Sequence, residues 1–155
     1  MLDIFNKDNI LSIVNTDKKE IAFNTETKEV LLDGLSVGYP GEYEKSGILL
    51  EVKEYEGILF YHFVTESKRL VIITSDNFTI KEDILSFFGD VDILIINGTK
   101  DSIKIFENIE AKLVIPYGES KDIFLNTLGQ HIEQVDNYKV KGEFALDTTE
   151  FVNLK

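Results

Sequence analysis

Leu70-Val-Ile-Ile-Thr74, Val91-Asp-Ile-Leu-Ile-Ile96 and Lys112-Leu-Val-Ile-Pro116 are three short apolar runs inside one stretch of the chain, Leu70 to Tyr117, and two helix-like segments separate them. Continuous runs rich in Val and Ile are the pattern of strands covered on both faces, and spacers of this length suit crossover helices. The stretch therefore predicts strand, helix, strand, helix, strand in a buried, largely parallel sheet. In such sheets ligands sit beyond the carboxyl ends of the strands. That places any site at Ser75-Asp76-Asn77, Asn97-Gly98-Thr99 and Tyr117-Gly118-Glu119.

On either side of this stretch the chain is β-rich. Ile10 to Val14, Glu20 to Asn24 and Val30 to Asp33 read as strands joined by polar turns, an antiparallel meander. Asp33 to Gly47 holds four glycines and one of the two prolines and reads as a loop of fixed, unusual geometry. Ile48 to Glu54, Ile58 to Thr65 and Leu70 to Thr74 form a second meander, with Glu56-Gly57 short enough for a hairpin. Thr79-Ile-Lys-Glu82 has the form of a capping box, and the helix behind it presents Ile80, Ile84, Leu85 and Phe88 on one stripe and stops at Gly89. Asp101 to Asn108 and Ser120 to Leu128 are two further helices, the latter started by Ser120 and ended by Gly129. Ile132 to Val135, Tyr138 to Val140 and Phe151 to Leu154 complete the set as short strands. Two β-rich halves around this alternation predict an α+β, αββα arrangement: two mixed sheets sandwiched with helices, in one domain spanning residues 1–155.

Bulk properties narrow the partners. At 155 residues and 43% hydrophobic content the chain has enough apolar material for one core. With 28 acidic and 16 basic side chains the net charge is -12, which repels phosphate backbones and anionic lipid surfaces. No nucleic acid or membrane partner is expected. The absence of cysteine removes disulfides, thiolate metal sites and cysteine nucleophiles together. The start of the chain has acid within it, no cationic leader and no long apolar run, so a cytoplasmic location is expected.

Four segments, in order, carry a resemblance to a known family: Gly38-Tyr-Pro-Gly-Glu-Tyr-Glu-Lys-Ser-Gly-Ile48, Arg69-Leu-Val-Ile-Ile-Thr-Ser-Asp76, Phe88-Gly-Asp-Val-Asp-Ile-Leu-Ile95 and Glu110-Ala-Lys-Leu-Val-Ile-Pro116. The chain resembles the branch of the metallo-β-lactamase superfamily that includes L-ascorbate-6-phosphate lactonase-like proteins. The likeness covers roughly residues 38–118, and the Pro40-Gly41-Glu42-Tyr43-Glu44 segment is its most specific part. The resemblance implies a trimmed form of that fold. It also implies a zinc or manganese centre that lowers the pKa of bound water, but the diagnostic His-x-His-x-Asp-His motif is absent from the sequence. At the strand ends the family's histidine positions fall on Ile73 and Gly118, and its Gly-Asp falls on Ser75-Asp76. Asp76 alone remains as a vestigial ligand, and one carboxylate does not hold a catalytic metal. On this reading the chain has no catalytic residues and no cofactor, zinc or manganese being the alternative.

The expected vestigial cleft is Asp76, Asn77, Asn97, Tyr117 and Gly118. In the bland reading Asp76 is a turn residue that hydrogen-bonds nearby backbone N–H groups. Glu42 and Glu44 could form an acid and base pair, or could simply bond locally with Tyr39 and Tyr43 packing over the sheet edge. His62 and His131 have no partner at metal-ligand spacing. Ser75 and Ser120 lack a nearby base. The leading expectation is a non-catalytic domain acting in protein binding or homo-oligomeric assembly. The alternatives are a metal-dependent hydrolase of small phosphorylated or ester substrates with a rebuilt site, and a small-molecule sensor using the old cleft.

Overall fold

Turn chemistry decides the first half of the chain. The computed structural model describes residues 1–145 and 147–155. Asp8-Asn9, Asp33-Gly34, Ser46-Gly47, Glu56-Gly57 and Glu66-Ser67 each place two successive residues at positive φ. That is the type I′ geometry whose twist matches a two-residue hairpin. These turns join β1 (Leu2–Lys7) to β2 (Ile10–Val14), β4 (Val30–Leu32) to β5 (Leu35–Val37), and β6 (Gly41–Lys45), β7 (Ile48–Tyr55), β8 (Ile58–Thr65) and β9 (Lys68–Ile73) in succession. β3 (Glu20–Asn24) sits between β2 and β4.

Three of these strands were not expected. β1 follows from the Asp8-Asn9 turn and from the alternation of Leu2 and Ile4 inward with Asp3 and Phe5 outward. The glycine-rich segment is not a loop: it holds β5 and β6, and Pro40-Gly41-Glu42-Tyr43-Glu44 runs into β6 on the edge of a sheet. Proline at the start of an edge strand is tolerated because it removes no ladder bond.

The remaining strands are β10 (Ile93–Asn97), β11 (Leu113–Tyr117), β12 (Gln134–Val135), β13 (Asn137–Val140), β14 (Glu150–Phe151) and β15 (Asn153–Leu154). A six-stranded antiparallel sheet has the order β13-β1-β2-β3-β4-β5. A seven-stranded mixed sheet has the order β14-β11-β10-β9-β8-β7-β6, with β9, β10, β11 and β14 parallel and the rest antiparallel. β12 and β15 form a small parallel pair.

The three helices α1 (Glu82–Phe88), α2 (Ser102–Glu107) and α3 (Lys121–Thr127) are short. The Thr79 capping box is not used: α1 begins three residues later, and the Thr79 N–H donates instead to Glu56 Oε2 at 3.2 Å. Ser120 likewise makes no side-chain cap bond to α3. α2 is capped from outside its first turn, where the Ser102 N–H donates to Thr99 Oγ1 at 3.1 Å and the Thr99 N–H donates to Ser102 Oγ at 3.0 Å. This reciprocal pair satisfies two helix-end donors.

Two cores result. Between the sheets, Leu2, Ile4, Leu11, Ile13 and Phe23 meet Phe63, Ile72, Ile95 and Ile115. On the other side of the second sheet, Phe60, Val71, Leu94 and Val114 meet Ile84, Phe88, Ile105 and Phe124 from the helices. Full burial of each such aliphatic side chain contributes about 1.5–3 kcal/mol, so the central strands are held from both faces. The layers therefore run sheet, sheet, helices. Among the described residues no helix covers the outer face of the first sheet, since residues 1–47 form strands and turns. There Phe5, Ala22 and Leu31 stand in one cross-strand row with Ser12, flanked by Val14 and Ile10.

Candidate functional site

Parallel pairing aligns the carboxyl ends of β9, β10 and β11, and the loops that leave them open onto the end of the first sheet. A cleft of about 650 Å³ lies there. One wall comes from the second sheet and its loops, with Asn97, Thr99, Pro116, Tyr117, Gly118, Glu119, Ser120 and Lys121. The other comes from the first sheet and its turns, with Asn6, Asn9, Leu11, Thr25, Glu26 and Lys28. Leu154 and Lys155 close one end.

Two glycines lock the floor. A Cβ on Gly98 would stand 2.9 Å from both Lys121 Cα and Pro116 Cβ, and the Gly98 N–H donates to Tyr117 O at 2.8 Å. Gly118 has φ +102, and a Cβ there would lie 2.8 Å from Asn97 Oδ1, so the Asn97 amide rests on bare backbone. Glycine is required at both positions by close approach, and at Gly118 by its backbone angle as well.

Tyr117 is the pivot of the site. Its hydroxyl donates to Ile73 O at 3.1 Å, which ties β11 to the end of β9 across β10. Its ring meets Phe23 edge to face at 5.1 Å and so joins the two sheets. Burial pushes its phenol pKa well above the ordinary value, and the Asp76 charge adds to the shift. The ring also supports Lys28, whose Nζ lies 4.7 Å from the centroid and donates to Thr25 O at 2.6 Å. Across the cleft, Lys121 Nζ donates to Leu154 O. Burial lowers the pKa of both lysines, with the Asp122 charge opposing the shift at Lys121. Asn6 Nδ2 donates to Lys155 O at 2.8 Å, while Asn6 Oδ1 is shielded from water with no partner.

The expected site residues are only partly brought together. Asn97, Tyr117 and Gly118 line the cleft, and Asp76 reaches its edge through Thr99, whose hydroxyl donates to Asp76 Oδ2 at 2.6 Å. Asp76 thus bonds a side chain of the neighbouring loop rather than backbone N–H groups of its own turn. Asn77 is exposed and lies outside the lining, its N–H donating to Ser75 Oγ at 3.1 Å. Glu44 Oε1 accepts the Gly47 N–H at 3.0 Å, a local turn bond, and Glu42 is exposed on β6. Tyr43 packs at the core edge and donates to Tyr39 O at 2.7 Å, but Tyr39 itself is 80% exposed and covers nothing. His62 lies on the helix side of β8, with its ring 5.9 Å from Phe87, and His131 is exposed beyond α3. Lys28 and Lys121 were missed, and Thr99 was placed in a strand-end loop without its bond to Asp76 being foreseen. Thr99 was legible as the first residue of a Thr-x-x-Ser cap, whereas nothing local marks either lysine.

Superposition on solved structures gives the frame for this site. The chain aligns with a candidate Zn-dependent hydrolase of the metallo-β-lactamase superfamily from Thermotoga maritima at a TM-score of 0.74 and 16% identity, covering 99% of each chain. The fold is metallo-β-lactamase-like. Its short form is shared, since the match spans both chains almost end to end. No family model and no curated protein matches the chain.

A zinc or manganese ion in a metallo-β-lactamase-like fold needs several converging His, Asp or Glu donors. Among the described residues no group of three or more such side chains is placed to hold a metal. Asp76, in the loop after β9, is already engaged by Thr99. The donor set present does not fit the metal. Among the described residues no helix is long and apolar enough to cross a membrane.

Proposed function

We propose that this chain is a non-catalytic domain on the metallo-β-lactamase-like fold, which acts by binding rather than by metal-assisted hydrolysis. The observation that carries this reading is what stands where the strand ends meet the first sheet. In place of converging histidines and aspartates there are two part-buried lysines, an amide laid over a glycine, two exposed glutamates, and at the edge an aspartate held by a threonine. The cleft volume falls in the range of small-molecule sites, which favours a metabolite-sized ligand over a protein segment as its occupant.

The test is metal content and turnover together. Tag-free protein is incubated with zinc and manganese, desalted and assayed by mass spectrometry, then tried on phosphoester, carboxylester and lactone substrates. Retained metal far below one equivalent with no turnover is the expected result. One or two equivalents retained, lost in Asp76→Ala, would restore the hydrolase alternative.

A second reading rests on a separate observation. Among the described residues no helix covers the outer face of the first sheet, and its central row of Phe5, Ser12, Ala22 and Leu31 is apolar at three of four positions, with Phe5 and Leu31 half-buried. Such a face favours homo-oligomeric assembly or a protein partner. Solution mass of the wild type and of Phe5→Glu measures it, and a monomer in both cases removes it.

A further inference from the structure

Lys28 and Lys121 bring two cations to one cleft. Each is part-buried, each lines the same cleft, and each donates to a backbone carbonyl. Among the described residues neither has a carboxylate within salt-bridge distance. What sets the pair apart from other unpaired lysines such as Lys19 and Lys68 is that both line one cleft and both are anchored on backbone carbonyls there. The two carboxylates that line the cleft, Glu26 and Glu119, are both exposed, and Glu26 accepts from Asn9 Nδ2 at 2.9 Å. Asp76 lies behind Thr99.

Taking an ammonium group partly out of water without a counter-charge costs free energy, and a bound anion restores that cost. The geometry holds both cations in place without neutralising them. Lys28 rests on the Tyr117 ring, a neutral surface that leaves its charge intact. Lys121 is fixed at the start of α3, where Gly98 packs directly against its Cα. The carbonyls of Thr25 and Leu154 orient the ammonium groups while leaving each with two further N–H donors. Thr25, Ser120 and Asn97 add hydroxyl and amide groups to the same lining.

We propose that the cleft binds a small molecule through an oxyanion, a carboxylate or phosphate group, held between the ammonium groups of Lys28 and Lys121. The inference rests on the binding reading above and names the chemistry of its ligand.

Inorganic phosphate and citrate are the probes, with sorbitol as a neutral control. The readouts are the thermal midpoint and isothermal titration calorimetry at low and moderate salt. At tenfold excess over its dissociation constant, an anion that fits should raise the midpoint by about 3–5 °C, and its affinity should fall as salt rises. Lys28→Met and Lys121→Met keep most of the side-chain stem, and each should weaken binding at least tenfold; Lys→Arg at either position should recover part of it. In the unaltered protein, bound anion should also protect Lys28 and Lys121 from amine-reactive labelling read by mass spectrometry. That readout stands even if a variant does not fold. Stabilisation by phosphate alone or by citrate alone identifies which oxyanion the cleft accepts. Stabilisation by sorbitol but by neither anion overturns the oxyanion while leaving a binding cleft. Anion effects equal in the Met variants, with no labelling protection, mean an adventitious ion only and overturn the proposal.

Discussion

Gly98→Ala is the sharpest probe of how the site is built. The added methyl would lie 2.9 Å from Lys121 Cα and 2.9 Å from Pro116 Cβ. Ordinary carbon contacts are about 3.5–4.0 Å, so β11 or the start of α3 must retreat by roughly 0.6 Å or more. Neither can do so freely, because the Gly98 N–H is bonded to Tyr117 O at 2.8 Å and Pro116 is buried within β11. Overpacking of this kind costs about 1–3 kcal/mol, which in a chain of this size lowers the thermal midpoint by about 2–12 °C. Gly38→Ala is the matched control, since its Cβ would meet nothing within 4 Å. Its midpoint should stay within about 2 °C of the parent, as for surface changes of about 0.5 kcal/mol. Scanning calorimetry on the three proteins decides the matter. A Gly98→Ala midpoint indistinguishable from that of Gly38→Ala would refute the account of a rigid floor.

Other perturbations test other parts of the structure. Tyr117→Phe leaves the Ile73 carbonyl without its partner and should cost about 1–3 kcal/mol by chemical denaturation; no measurable loss would mean that water replaces the hydroxyl. Burial, with the nearby Arg69 charge, lowers the pKa of His62, against a weaker opposing effect of Glu51. The unfolded chain then binds the extra proton more readily, so stability present above about pH 6.5 is lost as pH falls through that value. His62→Gln should shrink the stability difference between pH 7.5 and pH 5, and an unchanged difference would contradict this. Ser67 sits at φ 61 in its two-residue turn, a backbone angle that costs a side chain but not glycine. Ser67→Gly should therefore stabilise by about 0.5–1 kcal/mol, checked by the urea midpoint, and a loss of stability would show that the side chain has another role.

The parallel stretch was readable because Val- and Ile-rich runs between helical spacers have few other solutions. β9, β10 and β11 lie within two residues of the ends expected from sequence. β6 was unreadable for a physical reason. As an exposed edge strand with the sequence Gly-Glu-Tyr-Glu-Lys it buries almost nothing, so it leaves no hydrophobic alternation to detect. The turn pair Ser46-Gly47, which joins it to β7, was its local mark. The site divides in the same way. Asn97, Tyr117 and Gly118 follow from the strand-end rule, since they come directly after buried runs. Lys28 comes from the turn between β3 and β4, some 90 residues away from Lys121 in the sequence, and only the packing of one sheet on the other brings both to one cleft. Side chains whose role depends on long-range juxtaposition carry no periodicity of their own.

The two walls of the cleft answer to different constraints. Its floor is cast from Gly98, Gly118 and buried strand ends, where an added methyl at Gly98 strikes backbone. Its rim is made of hairpin turns, Asn9 and Thr25 to Lys28, whose residues are largely solvent-facing and whose shape is fixed by turn geometry more than by side-chain identity. Exchanging those turn residues would retune what the cleft accepts while the platform beneath stays intact. A library confined to the two turns is therefore a practical route to new ligand specificities on this small scaffold.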